Sequence, residues 1–151
     1  MRKMKLLKLP LIASVMLLSP ALLAGSPDVE YHTPNPKMPF SEAVRVDNIL
    51  YLSGQIGYDE ATGKLVEGGI AGETKKTMDG IQATLEKYGS SMSEVVKCTV
   101  YLADINEWAA MNEVYVTYFP EHPPARSALG SNGLALGART EIECMATIKE
   151  D

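Results

Sequence analysis

Residues 70–102 read IAGETKKTMDGIQATLEKYGSSMSEVVKCTVYL, and the hydrophobic period changes partway along. Thr74, Met78, Ile81, Leu85 and Tyr88 recur at steps of three and four, which places them on one stripe of a helix that Gly89 terminates. From residue 95 to 102 the period falls to two. Val96, Cys98, Val100 and Leu102 share one side, and Lys97, Thr99 and Tyr101 the other. That alternation predicts a strand with one buried and one polar face.

The same reading extends outward. Upstream, residues 41–46 and 49–55 read as two strands joined by the turn-tolerant pair Asp47-Asn48, with Leu50 and Leu52 facing one way and Tyr51, Ser53 and Gln55 the other. Residues 57–69 read as loop, punctuated by Gly63, Gly68 and Gly69. Downstream, Trp108, Met111, Tyr115 and Tyr118 form a second helical stripe, N-capped by Asp104 or Asn106 and ended by Pro120, Pro123 and Pro124. Residues 126–130 and 140–149 complete the series as strands, and in the last of them Glu141 and Glu143 oppose Ile142 and Cys144. The order β-β-α-β-α-β-β predicts an α+β fold, a mixed sheet with both helices on one face. The other face is polar, rich in Tyr, Thr and Ser, and has no second layer in a chain of this length. Such a face can simply be wet, or it can be a semi-polar subunit interface holding a site.

The N-terminus is an address. Residues 1–24 carry Arg2, Lys3, Lys5 and Lys8, then an apolar run over 9–23, then Ala24-Gly25-Ser26, the pattern of a secretory signal peptide. The run is too short, and too broken by Pro10, Ser14, Ser19 and Pro20, for a membrane span of roughly 20 residues. Cleavage after Ala24 is expected, leaving an exported protein, periplasmic if the host is bacterial, with no stable membrane anchor. Residues 25–39, with Pro27, Pro34, Pro36 and Pro39, form an extended lead-in rather than an element, and 40–151 form one domain. Past the leader, 10 basic side chains stand against 19 acidic ones, a net charge of −9. Such a chain repels phosphate backbones, which argues against nucleic acid as a partner.

Cys98 and Cys144 each lie among apolar neighbours on their own strand, so two small buried thiols are expected over a disulfide, although an exported protein permits one. His32 and His122 are too far from each other and from either Cys to suggest a metal site.

Three places could do chemistry. Arg126, in Pro-Pro-Ala-Arg-Ser, is a guanidinium on stiff backbone and suits two-pronged capture of a carboxylate. An ordinary strand-edge Arg is its plainer reading. Glu141, on the polar sheet face, could act as a general acid or base, unless a local ion pair with Arg139 is its whole role. Ser53-Gly54 offers a hydroxyl and a close backbone approach.

Leu50-Tyr51-Leu52-Ser53-Gly54-Gln55-Ile56-Gly57, Val96-Lys97-Cys98-Thr99-Val100-Tyr101-Leu102-Ala103-Asp104-Ile105, Met111-Asn112-Glu113-Val114-Tyr115, Pro124-Ala125-Arg126-Ser127 and Glu141-Ile142-Glu143 together resemble the reactive-intermediate deaminase (Rid, formerly YjgF) family. The resemblance runs in order from about residue 39 to 149. It implies a chorismate-mutase-like fold of the Bacillus type, a homotrimer with clefts between subunits, and hydrolysis of enamines and imines such as 2-aminoacrylate or 2-iminopropionate to 2-keto acids and ammonia. By that similarity Arg126 holds the substrate carboxylate and Glu141 activates water. Ser53, Gly54 and Phe40 line the cleft, with Asn106 near its wall. No cofactor or metal is implied. Where the deaminase branch carries a Tyr after Gly-Pro, this chain has Pro39-Phe40-Ser41, and Phe40 has no hydroxyl to donate. The competing expectations are a non-catalytic carboxylate-binding module and a trimeric protein-binding or chaperone-like protein.

Overall fold

The computed structural model describes residues 26–149, so the leader assigned to 1–24 lies outside the described residues. Its elements are strands β1 (Val29–His32), β2 (Ala43–Val46), β3 (Ile49–Leu52), β4 (Gln55–Ile56), β5 (Tyr58–Asp59) and β6 (Lys64–Leu65), then helix α1 (Gly69–Lys87), β7 (Val95–Leu102), α2 (Trp108–Tyr115), β8 (Ala125–Gly130) and β9 (Thr140–Thr147). A seven-stranded sheet runs β1-β2-β3-β9-β7-β8, with β4 also on β9; β5 and β6 form a separate hairpin. All pairs are antiparallel except β7 and β8, which α2 connects. A parallel pair needs such a crossover, because a tight turn cannot reverse the chain twice. The fold is α+β with both helices against one face of a mixed sheet, as the periodicities predict.

The core lies between that face and the helices. Met78, Ile81 and Leu85 of α1 and Met111 of α2 meet Leu50, Val100, Leu102 and Ile142, all fully buried. Gly89 stops α1 as expected. It takes φ +80°, and the Ser90 and Gly89 amides donate to the carbonyls of Leu85 and Glu86, the two bonds of a Schellman cap. Asp104 caps a short 3₁₀ turn leading into α2, its Oδ1 accepting from the Asn106 amide at 2.9 Å.

Five readings change in three dimensions. The Pro-rich lead-in supplies an edge strand, β1, because residues 29–32 find free backbone groups along β2. The segment read as loop over 57–69 contains the β5–β6 hairpin. Val96 is exposed and Val95 buried, since the β7–β9 register shifts between Val95 and Lys97 and the bulge turns Val96 outward. Gln55 sits on the helix face, where its Nε2 donates to Thr84 Oγ1 at 3.0 Å. The strand breaks at Ser53-Gly54 and resumes on β9 one residue out of step, so parity inverts there.

The fifth correction concerns the cysteines. Cys98 and Cys144 are directly opposite across β7 and β9, with Cα atoms 4.1 Å apart, and are joined by a disulfide. Parity assigned each to the core correctly. It could not reveal that the register of two strands 46 residues apart sets them face to face.

Thiol titration of denatured, unreduced protein should therefore find no free Cys98 or Cys144. Closing a loop of that length is worth about 4 kcal/mol on the chain-entropy scale, so reduction should lower Tm by roughly 10 °C. A second test concerns Glu42. Burial pushes its carboxyl up, but hydrogen bonds from Lys87 Nζ (2.6 Å) and Tyr88 Oη (2.5 Å) outweigh that and hold it below the usual range. A depressed folded-state pKa stabilises above the unfolded value and is lost as pH falls through the folded one. Glu42→Gln should accordingly be less stable than wild type at pH 7, the gap closing in acid unfolding titrations below pH 4.

Candidate functional site

Glu141 lies on the open face of the sheet, aligned with Tyr101 on β7 and Ile56 on β4. Its carboxylate rests over Gly54: a Cβ on that residue would sit 2.1 Å from Glu141 Oε1 and 3.0 Å from Cδ. The break after β3 thus has a use. A glycine at the point where the strand slips lets a carboxylate from β9 lie against bare backbone. Ser53 does not point a free hydroxyl at this place, because its Oγ donates to the Ser41 carbonyl at 2.7 Å. That bond pins the segment that follows Phe40, whose ring is half-exposed. Around Glu141 the open face carries Tyr101, which donates to Glu143 at 3.3 Å, and Lys97, which donates to Ser127 at 2.9 Å. A shallow hollow of about 230 Å³ opens between Tyr51, Lys97, Thr99, Glu143 and Met145.

Arg126 lies elsewhere. It is aligned with Cys98, whose side chain faces the helices, so Arg126 is on the opposite side of the sheet from Glu141. Their positions are also three residues apart along the strands, roughly 10 Å. The guanidinium packs on α2, 4.6 Å from the Tyr115 ring centroid and 5.6 Å from that of Trp108, and Nη1 donates to Asn112 Oδ1 at 2.8 Å. Burial raises the Tyr115 hydroxyl to about 12, against the opposing charge of Arg126, so Tyr115 is neutral throughout the working range. Asn106 stands past the C-terminal end of β7, exposed, with its amide Nδ2 donating to Asp104.

The structure therefore joins Gly54 to Glu141, sets Ser53 behind Phe40, and holds Arg126 apart from both, with Asn106 at a third place. Trp108 and Tyr115 were legible as a helical stripe. What was missed is that with Asn112 they follow an i, i+4, i+7 spacing that surrounds an arginine.

The expected pair of Arg139 with Glu141 does not form, because Arg139 points to Glu107 and bonds both of its carboxylate oxygens. Among the described residues neither Arg126 nor Glu141 is in a salt bridge, whereas Lys75–Asp79, Lys87–Glu42 and Lys149–Glu94 are paired at 2.6–2.7 Å. Among the same residues no cluster of His, Cys, Asp and Glu could hold a metal ion.

Comparisons with known proteins agree on kinship. The family model described as Endoribonuclease L-PSP matches residues 30–148. A human protein named 2-iminobutanoate/2-iminopropanoate deaminase is 45% identical over 108 residues, covering 72% of this chain and 79% of that protein. A RutC family protein of Pyrococcus abyssi is 44% identical over 113 residues, covering 75% and 89%. Among solved structures, RidA from an Antarctic Psychrobacter aligns with a TM-score of 0.71 at 37% identity, over 77% of this chain and 94% of that one. The α+β architecture is accordingly the chorismate-mutase-like fold shared by these neighbours.

Two glycines should respond differently to substitution. In Gly54→Ala the new methyl meets the end of a flexible side chain, so stability should fall by no more than about 1 kcal/mol while Glu141 swings off its position. In Gly57→Ala the methyl would lie 2.6 Å from the Glu73 Cα, which cannot yield, and the loss should approach about 3 kcal/mol. Urea unfolding of both variants and a crystal structure of Gly54→Ala check the pair.

Proposed function

Because the chain belongs to the Endoribonuclease L-PSP family, the group that also carries the Rid and YjgF names, we propose that it hydrolyses 2-imino and 2-enamino acids to 2-keto acids and ammonia, in clefts shared between subunits of a homotrimer. One observation carries the reading. Arg126 and Glu141, the two charged candidates, are in no salt bridge among the described residues and lie on opposite faces of one sheet. A single chain cannot bring them to one small substrate. Two chains can, if the outer strand β8 of one presents Arg126 where the open face of the next presents Glu141 and Gly54.

In that arrangement Arg126 grips the carboxylate through the N–H donors not engaged by Asn112. An enamino acid first takes a proton from water at its β-carbon to give the same protonated imine that an imino acid supplies directly. Water adds to the C=N carbon while Glu141 takes its proton. Glu141 returns the water's proton to the carbinolamine nitrogen, ammonia leaves, and the hydroxyl proton passes back to Glu141 and on to the ammonia as the C=O of the keto acid forms. The imine carbon is already electrophilic, so orientation and one proton relay supply most of the rate. The human relative's name describes the same substrate class. The family description names RNA cleavage instead, and the net charge of −9 over residues 25–151 disfavours a phosphate backbone. Export after removal of residues 1–24 completes the proposal and rests on their basic, apolar and small-residue pattern.

The test is complementation between inactive chains. Arg126→Ala and Glu141→Gln should each lose about 10²-fold or more in imine turnover. When the two variants are co-refolded into mixed trimers, roughly a quarter of the clefts should receive both intact residues, and activity should recover in proportion. Light scattering should give a trimer for each preparation. A site within one chain predicts no recovery, and a carboxylate-binding module predicts keto-acid binding with no turnover to restore.

A further inference from the structure

Arg126 is more tightly arranged than a strand-edge cation needs to be. Tyr115 is buried and presents a ring face to the guanidinium at 4.6 Å; Trp108 presents another at 5.6 Å, from a side chain that is 43% exposed. Two ring faces within reach of one guanidinium attract and hold it. Asn112 then fixes its rotation, because Oδ1 accepts from Nη1 at 2.8 Å. Positions 108, 112 and 115 lie on one side of α2 at i, i+4 and i+7, so one helix face supplies all three contacts. The choice of acceptor matters as well. An amide oxygen orients the guanidinium without neutralising it, and five N–H donors less one leave an edge for a carboxylate.

We infer that Trp108, Asn112 and Tyr115 are positioning residues that hold Arg126 in the orientation needed to bind a substrate carboxylate, with Asn112 keeping that charge uncancelled. The inference rests on the carboxylate-gripping role proposed for Arg126. It assigns α2 a part in substrate affinity in addition to its place over the core.

Asn112→Asp separates positioning from structure. The change preserves shape and puts a carboxylate at Nη1, so a structural role predicts equal or greater stability and unaltered kinetics. The positioning role predicts equal or greater stability together with a KM raised about tenfold or more, because the site fills itself with an internal anion. Trp108→Ala, at a half-exposed position, should raise KM about fivefold, and Trp108→Phe should restore most of it. In all three variants the rise in KM should exceed any fall in kcat, since the guanidinium and Glu141 are both retained. Trp108 is the single tryptophan of the chain, so its fluorescence gives a readout independent of turnover. Pyruvate should change the emission of wild type saturably, change that of Asn112→Asp only at concentrations about tenfold higher, and leave that of Arg126→Ala unaltered.

The inference is overturned if Asn112→Asp and Trp108→Ala keep the wild-type KM, and Asn112→Asp the wild-type pyruvate titration, in an enzyme that Arg126→Ala disables; the deaminase reading then stands. A fall in melting temperature with KM unchanged overturns it equally. If the wild type neither binds pyruvate nor turns over imine, the functional reading fails, and the carboxylate hold fails with it.

Discussion

The register of β9 governs the molecule. This strand pairs with β3 and β4 on one side and β7 on the other, so every long-range feature of the sheet is referred to it. Its side chains alternate strictly: Ile142, Cys144 and Ala146 are buried under the helices, and Glu141, Glu143 and Met145 stand on the open face. A slip of one residue would exchange the two sets, putting two carboxylates into the core. The Cys98–Cys144 bond lies across the β7–β9 pair and secures that register covalently.

Against so regular a strand, the irregularities around it acquire meaning. The bulge at Val96 and the break at Ser53-Gly54 each displace a neighbouring strand by one residue. The first turns a valine toward the face that lacks a second layer. The second creates the bare stretch of backbone on which Glu141 lies, while Gln55 turns inward to α1. Bulges redirect side chains without disturbing the core behind them, and the break at Ser53-Gly54 does so beside Glu141.

The distribution of charge follows the same logic. At the periphery, acids and bases neutralise one another locally, as Arg139 with Glu107 and Lys87 with Glu42 do. Glu73, buried, accepts the Arg139 amide and fixes the approach to β9. Among the described residues Arg126 and Glu141, like Lys97 and Glu143, are in no salt bridge; Arg126 is held by aromatic rings and an amide, and Glu141 is laid against glycine. In a lone subunit they are separated by the thickness of the sheet. The proposed three-chain assembly is the arrangement that would bring them into one cleft and cover the polar open face.

Local pattern alone determined a good deal here. The period of the Thr74-to-Tyr88 stripe required a helix, Gly89 its end, and the alternation over 140–149 a strand with Glu141 outward, because those are consequences of bond geometry within a few residues. The order of the main elements followed, without β1 and the β5–β6 hairpin, and with it the α+β class. Motifs spread across the chain also pointed to Arg126, Glu141 and Gly54. What neighbouring residues could not express is anything that depends on which strands pair and in what register. The disulfide, the inward turn of Gln55, the edge strand made from a Pro-rich lead-in and the Trp108–Asn112–Tyr115 hold on Arg126 all belong to that kind. So does the separation of Arg126 from Glu141: alternation shows that a strand has two faces, but only pairing of β8 to β7 and β7 to β9 decides that these two residues occupy different ones.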